Sequence, residues 1–246
     1  MTQPAILLKN VTKKYGQFAA VRNLSLEVAG GEIFGFVGPN GAGKTTTIRM
    51  ITGLAYPSEG SIQIQGHEYL KEDLKIKQIM GYIPDRPYLY EKLTGREYLE
   101  FIYGVYNLNG QRPVDVDEYL KLFDLKDWSD ELVESYSHGM KQRLAFAGAL
   151  LHNPDVLVVD EPMVGLDPRG IRLIKDLFRE LASRNVAVFL STHNLELAEQ
   201  VCHRIGIIYE GQLLACDDIN GLRRQASLLE SRLEDIFLRL TTEEIK

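Results

Sequence analysis

The sequence predicts an α/β fold: a mainly parallel sheet flanked by helices, an antiparallel β part at the N-terminus, and an α-helical subdomain inserted between. Three observations predict it. Continuous apolar runs, Ile33-Phe34-Gly35-Phe36-Val37, Val156-Leu157-Val158-Val159 and Val186 to Leu190, alternate with helical patterns, as buried parallel strands covered on both faces do. Leu24 to Val28 and Ser61-Ile62-Gln63-Ile64-Gln65 instead alternate apolar and polar residues, the mark of strands with one solvated face. From about Thr94 to Leu151 the spacing is helical.

The elements follow in order. Ile6 to Val11 reads as the first strand and Leu24 to Val28 as the second, after which Gly30-Gly31 turns the chain into the buried strand at 33–37. Thr45 to Ile51 reads as the start of a helix. Pro57-Ser58-Glu59-Gly60 is a turn, Gly66 ends the strand that follows it, and Pro84 stops a short strand at Met80-Gly81-Tyr82-Ile83. In the helical stretch, Tyr98, Leu99, Ile102 and Tyr106 keep a face, as do Leu120, Phe123 and Leu125; Gly139-Met140-Lys141-Gln142-Arg143 opens a helix through Leu151. Ile171, Ile174, Leu177, Phe178 and Leu181 share one helical face, and the tail from about Ser227 reads as a polar amphipathic helix.

Gly38-Pro39-Asn40-Gly41-Ala42-Gly43-Lys44-Thr45-Thr46 fits G-x-x-x-x-G-K-[ST] and sits between a buried strand and a helix. Unpaired backbone N–H groups at the helix start converge on one point, the helix dipole adds partial positive charge, and Lys44 adds a full one. Phosphate oxygens suit that point, and glycine at 38, 41 and 43 lets the main chain wrap them closely. Thr45 offers a hydroxyl to Mg2+ bridging to a nucleotide.

Asp160 and Glu161 end the apolar run 156–159, at the strand end where parallel sheets bind ligands. The expected roles are Mg2+ binding by Asp160 beside Thr45, and polarisation by Glu161 of the water that attacks the γ-phosphate. Ser191-Thr192-His193 ends the next strand, where His193 is placed to orient that water.

Composition bounds the rest. The 246 residues are 45% hydrophobic and 25% charged, ordinary for a globular chain of this length. A net charge of -6 disfavours nucleic acid as the main partner. Cys202 and Cys216 are too few for a disulfide framework and point to a reducing compartment. Met1-Thr2-Gln3-Pro4 lacks the pattern of a secretory signal, and no apolar run approaches the ~20 residues that span a bilayer, so work at a membrane requires another chain to cross it.

In this order the motifs resemble the ATP-binding subunit of ABC transporters over essentially the whole chain. Tyr136-Ser137-His138-Gly139-Met140-Lys141-Gln142-Arg143 looks like the family's signature sequence, Gly165-Leu166-Asp167 like its D-loop, His193 like its switch histidine, and Tyr15 like the aromatic that stacks on adenine. The resemblance implies a P-loop NTPase fold in a single domain over 1–246, with a RecA-like core at 1–84 and 152–226, a helical subdomain at 85–151 and a C-terminal helix at 227–246. It implies ATP and Mg2+ as cofactors, and an ATPase with Lys44, Glu161 and His193 as catalytic residues. The nucleotide would touch Tyr15, Gly38, Pro39, Asn40, Gly41, Ala42, Gly43, Lys44, Thr45 and Thr46, with Ser137 and Gly139 arriving from a partner copy across a head-to-tail dimer. It also implies a separate polytopic membrane permease and a peripheral place on the cytoplasmic face of a membrane.

The chain departs from the family pattern twice. Gly81-Tyr82-Ile83-Pro84 is followed by Asp85 where Gln is usual, which leaves Asp85 as a third metal residue acting through water. The usual Gly-Gly of the signature is His138-Gly139, followed by Met140. That form, with the tail Leu233 to Thr241, resembles the ABC-2/drug-export subgroup. The alternative function is a nucleotide-gated regulatory switch that does not itself drive transport. A single module, with a compact helical insert and no zinc-spaced cysteines, speaks against the ribosomal and DNA-associated kinds of switch.

Overall fold

Backbone pairing carries the first two strands well beyond their apolar stretches. β1 (Ile6–Tyr15) and β2 (Phe18–Val28) form one antiparallel hairpin, with Tyr15 opposite Phe18 at its tip. The sequence pattern marks only its inner half, because the tip residues Lys13, Lys14, Tyr15 and Phe18 project little into the core. β3 (Ile33–Val37) is buried throughout and leads to α1 (Lys44–Ile51). β4 (Glu59–Ile64) pairs with β1, taking in Glu59 and Gly60 that the sequence assigns to a turn, and β5 (His67–Glu68) closes an antiparallel sheet of order β2-β1-β4-β5.

The computed structural model describes residues 3–69, 72–106, 114–228 and 231–243; parts of the expected helical stretch (107–113) and tail (229–230, 244–246), and the first two residues, lie outside the described residues. After β5 come α2 (Asp73–Ile79), β6 (Met80–Ile83), α3 (Gly95–Tyr106), α4 (Val116–Leu122), 3-10 turns at Lys126–Trp128 and Val133–Ser135, and α5 (His138–Leu150). β7 (Val156–Asp160), α6 (Pro168–Ser183), β8 (Ala187–Thr192), α7 (Leu195–Val201), β9 (Arg204–Tyr209), β10 (Gln212–Asp217), α8 (Ile219–Gln225) and α9 (Leu233–Glu243) complete the order. The second sheet has the order β10-β9-β3-β8-β7-β6; β9, β3, β8, β7 and β6 run parallel, and β10 returns antiparallel to β9. The predicted α/β class, with an antiparallel β part and helices between strands, is the fold observed. No helix among the described residues is long and apolar enough to cross a membrane.

Two local readings are corrected. Leu120, Phe123 and Leu125 do not share one helix: α4 ends at Leu122, and Asp124 turns left-handed at φ 59. All three are nonetheless fully buried, so burial, not helical period, produced their spacing. The tail helix starts later than expected, at Leu233, because Ser227 at φ 57 turns the chain after α8. Cys202, in the apolar helical pattern the sequence shows around it, is the C-cap of α7 and lies just past its last helical residue.

Side-chain caps fix the helix starts that matter for the site. Ser137, Asp167 and Asn194 accept from the backbone N–H of Met140, Gly170 and Leu197 at 3.2, 2.8 and 2.9 Å. Each such cap contributes about 1 kcal/mol. One apolar cluster unites the helical block with the parallel sheet: Phe123, Phe146 of α5 and Phe178 of α6 have ring centroids 6.4 and 6.1 Å apart, in contact with Val159 and Leu190 in the same cluster. Phe178→Ala removes the central-sheet side of that stack. It is expected to cost about 3–5 kcal/mol, read as a lowered urea midpoint in a single transition for both parts.

Candidate active site

The parallel register brings the motif residues together. Val37, the last residue of β3, pairs with Thr192 of β8, and Asp160 of β7 pairs with Ser191. The loop after β3 and the acids after β7 therefore emerge side by side at one sheet edge. They line a cleft of about 360 Å3 together with Phe18, Ala20 and Asp85; the loop contributes Pro39, Asn40, Gly41, Gly43, Lys44, Thr45 and Thr46, and β7 contributes Asp160 and Glu161.

The loop is shaped by its packing. Gly43 is the N-cap of α1 at φ 107, and a Cβ there would lie 2.7 Å from the Ala20 carbonyl oxygen, so only glycine lets the loop approach β2 this closely. The Ala42 carbonyl accepts from Gly211 N–H at 2.9 Å, tying the loop to the β9–β10 turn. Lys44 is buried and donates to the carbonyls of Gly38 and Pro39 at 2.7 and 3.2 Å. Burial lowers its pKa, and the nearby charges of Glu161 and Asp160 act in the opposite direction. A buried ammonium held only by two carbonyls gains from an arriving anion.

Across the cleft, Asp160 accepts from Ser191 Oγ at 2.7 Å and from Thr45 Oγ1 at 3.3 Å. Burial raises its pKa, with the Ser191 hydroxyl working against the shift. A desolvated carboxylate next to a threonine hydroxyl gives two hard oxygens to a divalent cation, the donor set of a metal completed by substrate phosphates and water. Among the described residues no cluster of three or more His, Cys, Asp or Glu side chains competes as a metal site. Asp85 lines the cleft from the loop after β6, on the surface.

Glu161 sits at φ 50, a left-handed conformation uncommon outside glycine. Its N–H donates to the Ser191 carbonyl at 2.9 Å. Its carboxylate accepts from Thr192 Oγ1 at 3.1 Å, from His193 N–H at 3.1 Å and from His193 Nδ1 at 2.8 Å. The carboxylate is thus pinned at the cleft wall while His193, mostly exposed, stands behind it. His193 is not one of the cleft-lining residues; it reaches the cleft through Glu161.

Two other expected contacts lie apart. Tyr15 is half exposed and does not line the cleft, whereas its cross-strand neighbour Phe18 does. Ser137 and Gly139, at the start of α5, also stand outside this cleft. The residues that motif reading passed over are Phe18, Ser191 and Thr192. Hydroxyls directly after the Val188-Phe189-Leu190 strand were the available signal for the latter two; Phe18 carried none beyond an apolar ring next to a turn.

Comparison with known proteins agrees with this geometry. The family model described as ABC transporter matches residues 21–164. The bacitracin transport ATP-binding protein BcrA of Bacillus licheniformis is 42% identical over 231 residues, spanning 92% of this chain and 74% of the relative. A solved ATP-binding subunit of an ABC transporter superposes with a TM-score of 0.90 at 31% identity, covering 96% of this chain and 99% of that one. A dimeric ATP-binding cassette in a post-hydrolysis state, bound to ADP and Pi, superposes with a TM-score of 0.76 at 27% identity, covering 88% and 99%. Likeness of this extent identifies the chain as an ATPase that belongs to the ABC transporter family, among its ATP-binding subunits.

Proposed function

We propose that two copies, or this chain and a related one, close head-to-tail over two MgATP and that the closure drives a separate membrane subunit of an exporter. One observation carries the dimer: Ser137 and the first amides of α5 form a second anion-binding helix start that faces no phosphate cleft of its own chain. A second copy completes the site by laying that start over the nucleotide.

Within the closed site, Lys44 leaves its two loop carbonyls for the β- and γ-phosphates, and the amides of 41–46 bind the remaining oxygens. Thr45 and Asp160 would hold Mg2+, which would supply positive charge against the phosphates. Glu161 takes the proton of the attacking water. His193 holds the Glu161 carboxylate in place and, on closure, orients the water. Asp85, at the cleft wall, would hold a water of the bound metal. Phe18, with Tyr15 beside it, offers the aromatic face for the base. Closure lasts while the γ-phosphate bridges both copies, and its loss opens them.

The surface after Asp85 suits a membrane partner at the cytoplasmic face. Tyr88, Tyr90 and Phe101 are exposed and meet edge-on, with ring centroids 6.1 and 5.1 Å apart. A contiguous exposed aromatic group of this kind marks an interaction site. The drug-export character rests on the likeness to the bacitracin transport protein and on the His138-Gly139-Met140 form of the signature.

Glu161→Gln is the decisive variant. It is expected to keep ATP binding, run as a dimer in MgATP by light scattering, and hydrolyse ATP about 10²–10⁴-fold more slowly; turnover at the parental rate removes Glu161 as the base. Lys44→Ala is expected to weaken ATP about a hundredfold in calorimetry, and unchanged affinity contradicts the assignment of the loop. Tyr88→Asp with Phe101→Asp is expected to release the chain from membranes that hold its partner while leaving ATP affinity intact; retention of the double variant at parental levels shifts the docking surface elsewhere.

A further inference from the structure

The residue that breaks the signature pattern also makes a contact across two structural parts. His138 is the first residue of α5, where the family pattern has glycine, and its side chain leans on Gly165, in the loop that follows Glu161. The approach is close: a Cβ on Gly165 would lie 1.9 Å from His138 Cδ2, 2.8 Å from Nε2 and 3.0 Å from Cγ. Gly165 also has φ 77, so glycine is required there both for its conformation and for the imidazole above it. Gly139 presses on the same peptide, since a Cβ on it would lie 3.0 Å from the Gly165 carbonyl oxygen.

The segment from 161 to 167 is held firmly at its ends and weakly in its middle. At one end, Glu161 is bonded to Ser191, Thr192 and His193; at the other, Asp167 caps α6 at 2.8 Å. Between them the backbone bonds are long: Val164 N–H to the Glu161 carbonyl at 3.4 Å and Leu166 N–H to the Met163 carbonyl at 3.3 Å. Pro162 is buried and Met163 and Leu166 pack against the core, but Val164 and Gly165 between them are exposed, so the tip of the loop has no core packing of its own. The imidazole of His138 is the large group set against it.

We propose that His138 is a positioning residue: its ring, seated on Gly165, couples the N-terminal turn of α5 to the loop that places Glu161. A shift of the signature turn, when it engages the nucleotide of a partner copy, is delivered through the ring to a segment four residues from the carboxylate. A glycine in place of His138 leaves the loop's middle without that contact. The inference rests on the reading of Glu161 as the hydrolytic base.

The test uses the full chain at a concentration that supports hydrolysis. His138→Gly is expected to lower kcat about tenfold, because small misplacements of a reacting group cost this much or more. Its ATP dissociation constant stays within about twofold of the parent, since the residues of the nucleotide cleft are untouched. Amides of 163–166 are expected to exchange faster in the same variant. His138→Ala, which keeps helix propensity in the first turn of α5, is expected to behave like His138→Gly. His138→Phe, which restores a planar ring without nitrogen, is expected to return kcat to within about threefold of the parent. Parental kcat in His138→Ala overturns the proposal, and so does a failure of His138→Phe to rescue, which assigns the effect to the imidazole nitrogens. A slow Glu161→Gln beside a fully active His138→Ala rejects this coupling alone; a fully active Glu161→Gln rejects the reading of the base on which it rests.

Discussion

Parallel pairing of β3, β8 and β7 in one register is the constraint from which the site follows. These strands pair Val37 with Thr192 and Asp160 with Ser191, so the three chain segments that carry chemistry leave the sheet at a common level. A slip of one residue along any strand would send its side chains to the other face. β3, β7 and β8 are buried at every position, so side-chain packing on both faces, not an apolar–polar alternation, holds the register. Sheet stability and site geometry are therefore set by the same residues.

On that edge the electrostatics are arranged in advance of substrate. Lys44 and Asp160 are both buried, and burial pushes each toward its neutral form. Two carbonyls hold the first and two hydroxyls the second, which leaves each charge under-compensated in a complementary sense: the ammonium toward an anion, the carboxylate toward a cation. A phosphate–divalent-cation pair answers both. Glu161 is prepared differently. Its left-handed backbone is unfavourable by roughly 1–2 kcal/mol, and bonds from Thr192 and His193 fix the carboxylate in return. Such fixation before substrate arrives is how a positioned group contributes without reorganising.

The sequence makes the buried strands, the phosphate loop and the acids after β7 readable because each is a local pattern with a local cause. What it hides is decided elsewhere in the chain. Phe18 lines the cleft because its backbone pairs with Tyr15 across a hairpin tip, and the turn glycine Gly16, at φ 61, is the only local mark of that pairing, one that says nothing of the cleft. Ser191 and Thr192 act by bonding to acids 31 residues away. Leu120, Phe123 and Leu125 look like a helical face since all are buried, yet the backbone turns at Asp124 to bury the last of them. Period reports burial, and burial has more than one backbone solution.

The aromatic stack from Phe123 through Phe146 to Phe178 limits how the helical block can move. Because these rings belong to the same cluster as Val159 and Leu190, parting the block from the sheet would expose a shared core. At about 25 cal/mol per Å2 of apolar surface, opening even a few hundred Å2 costs several kcal/mol. A rotation that slides α5 over the sheet keeps the surface buried and costs far less, so it is the motion the packing permits. The first turn of α5 meets the loop after β7 at its exposed tip, Gly165, between residues that the core and the Glu161 and Asp167 bonds hold.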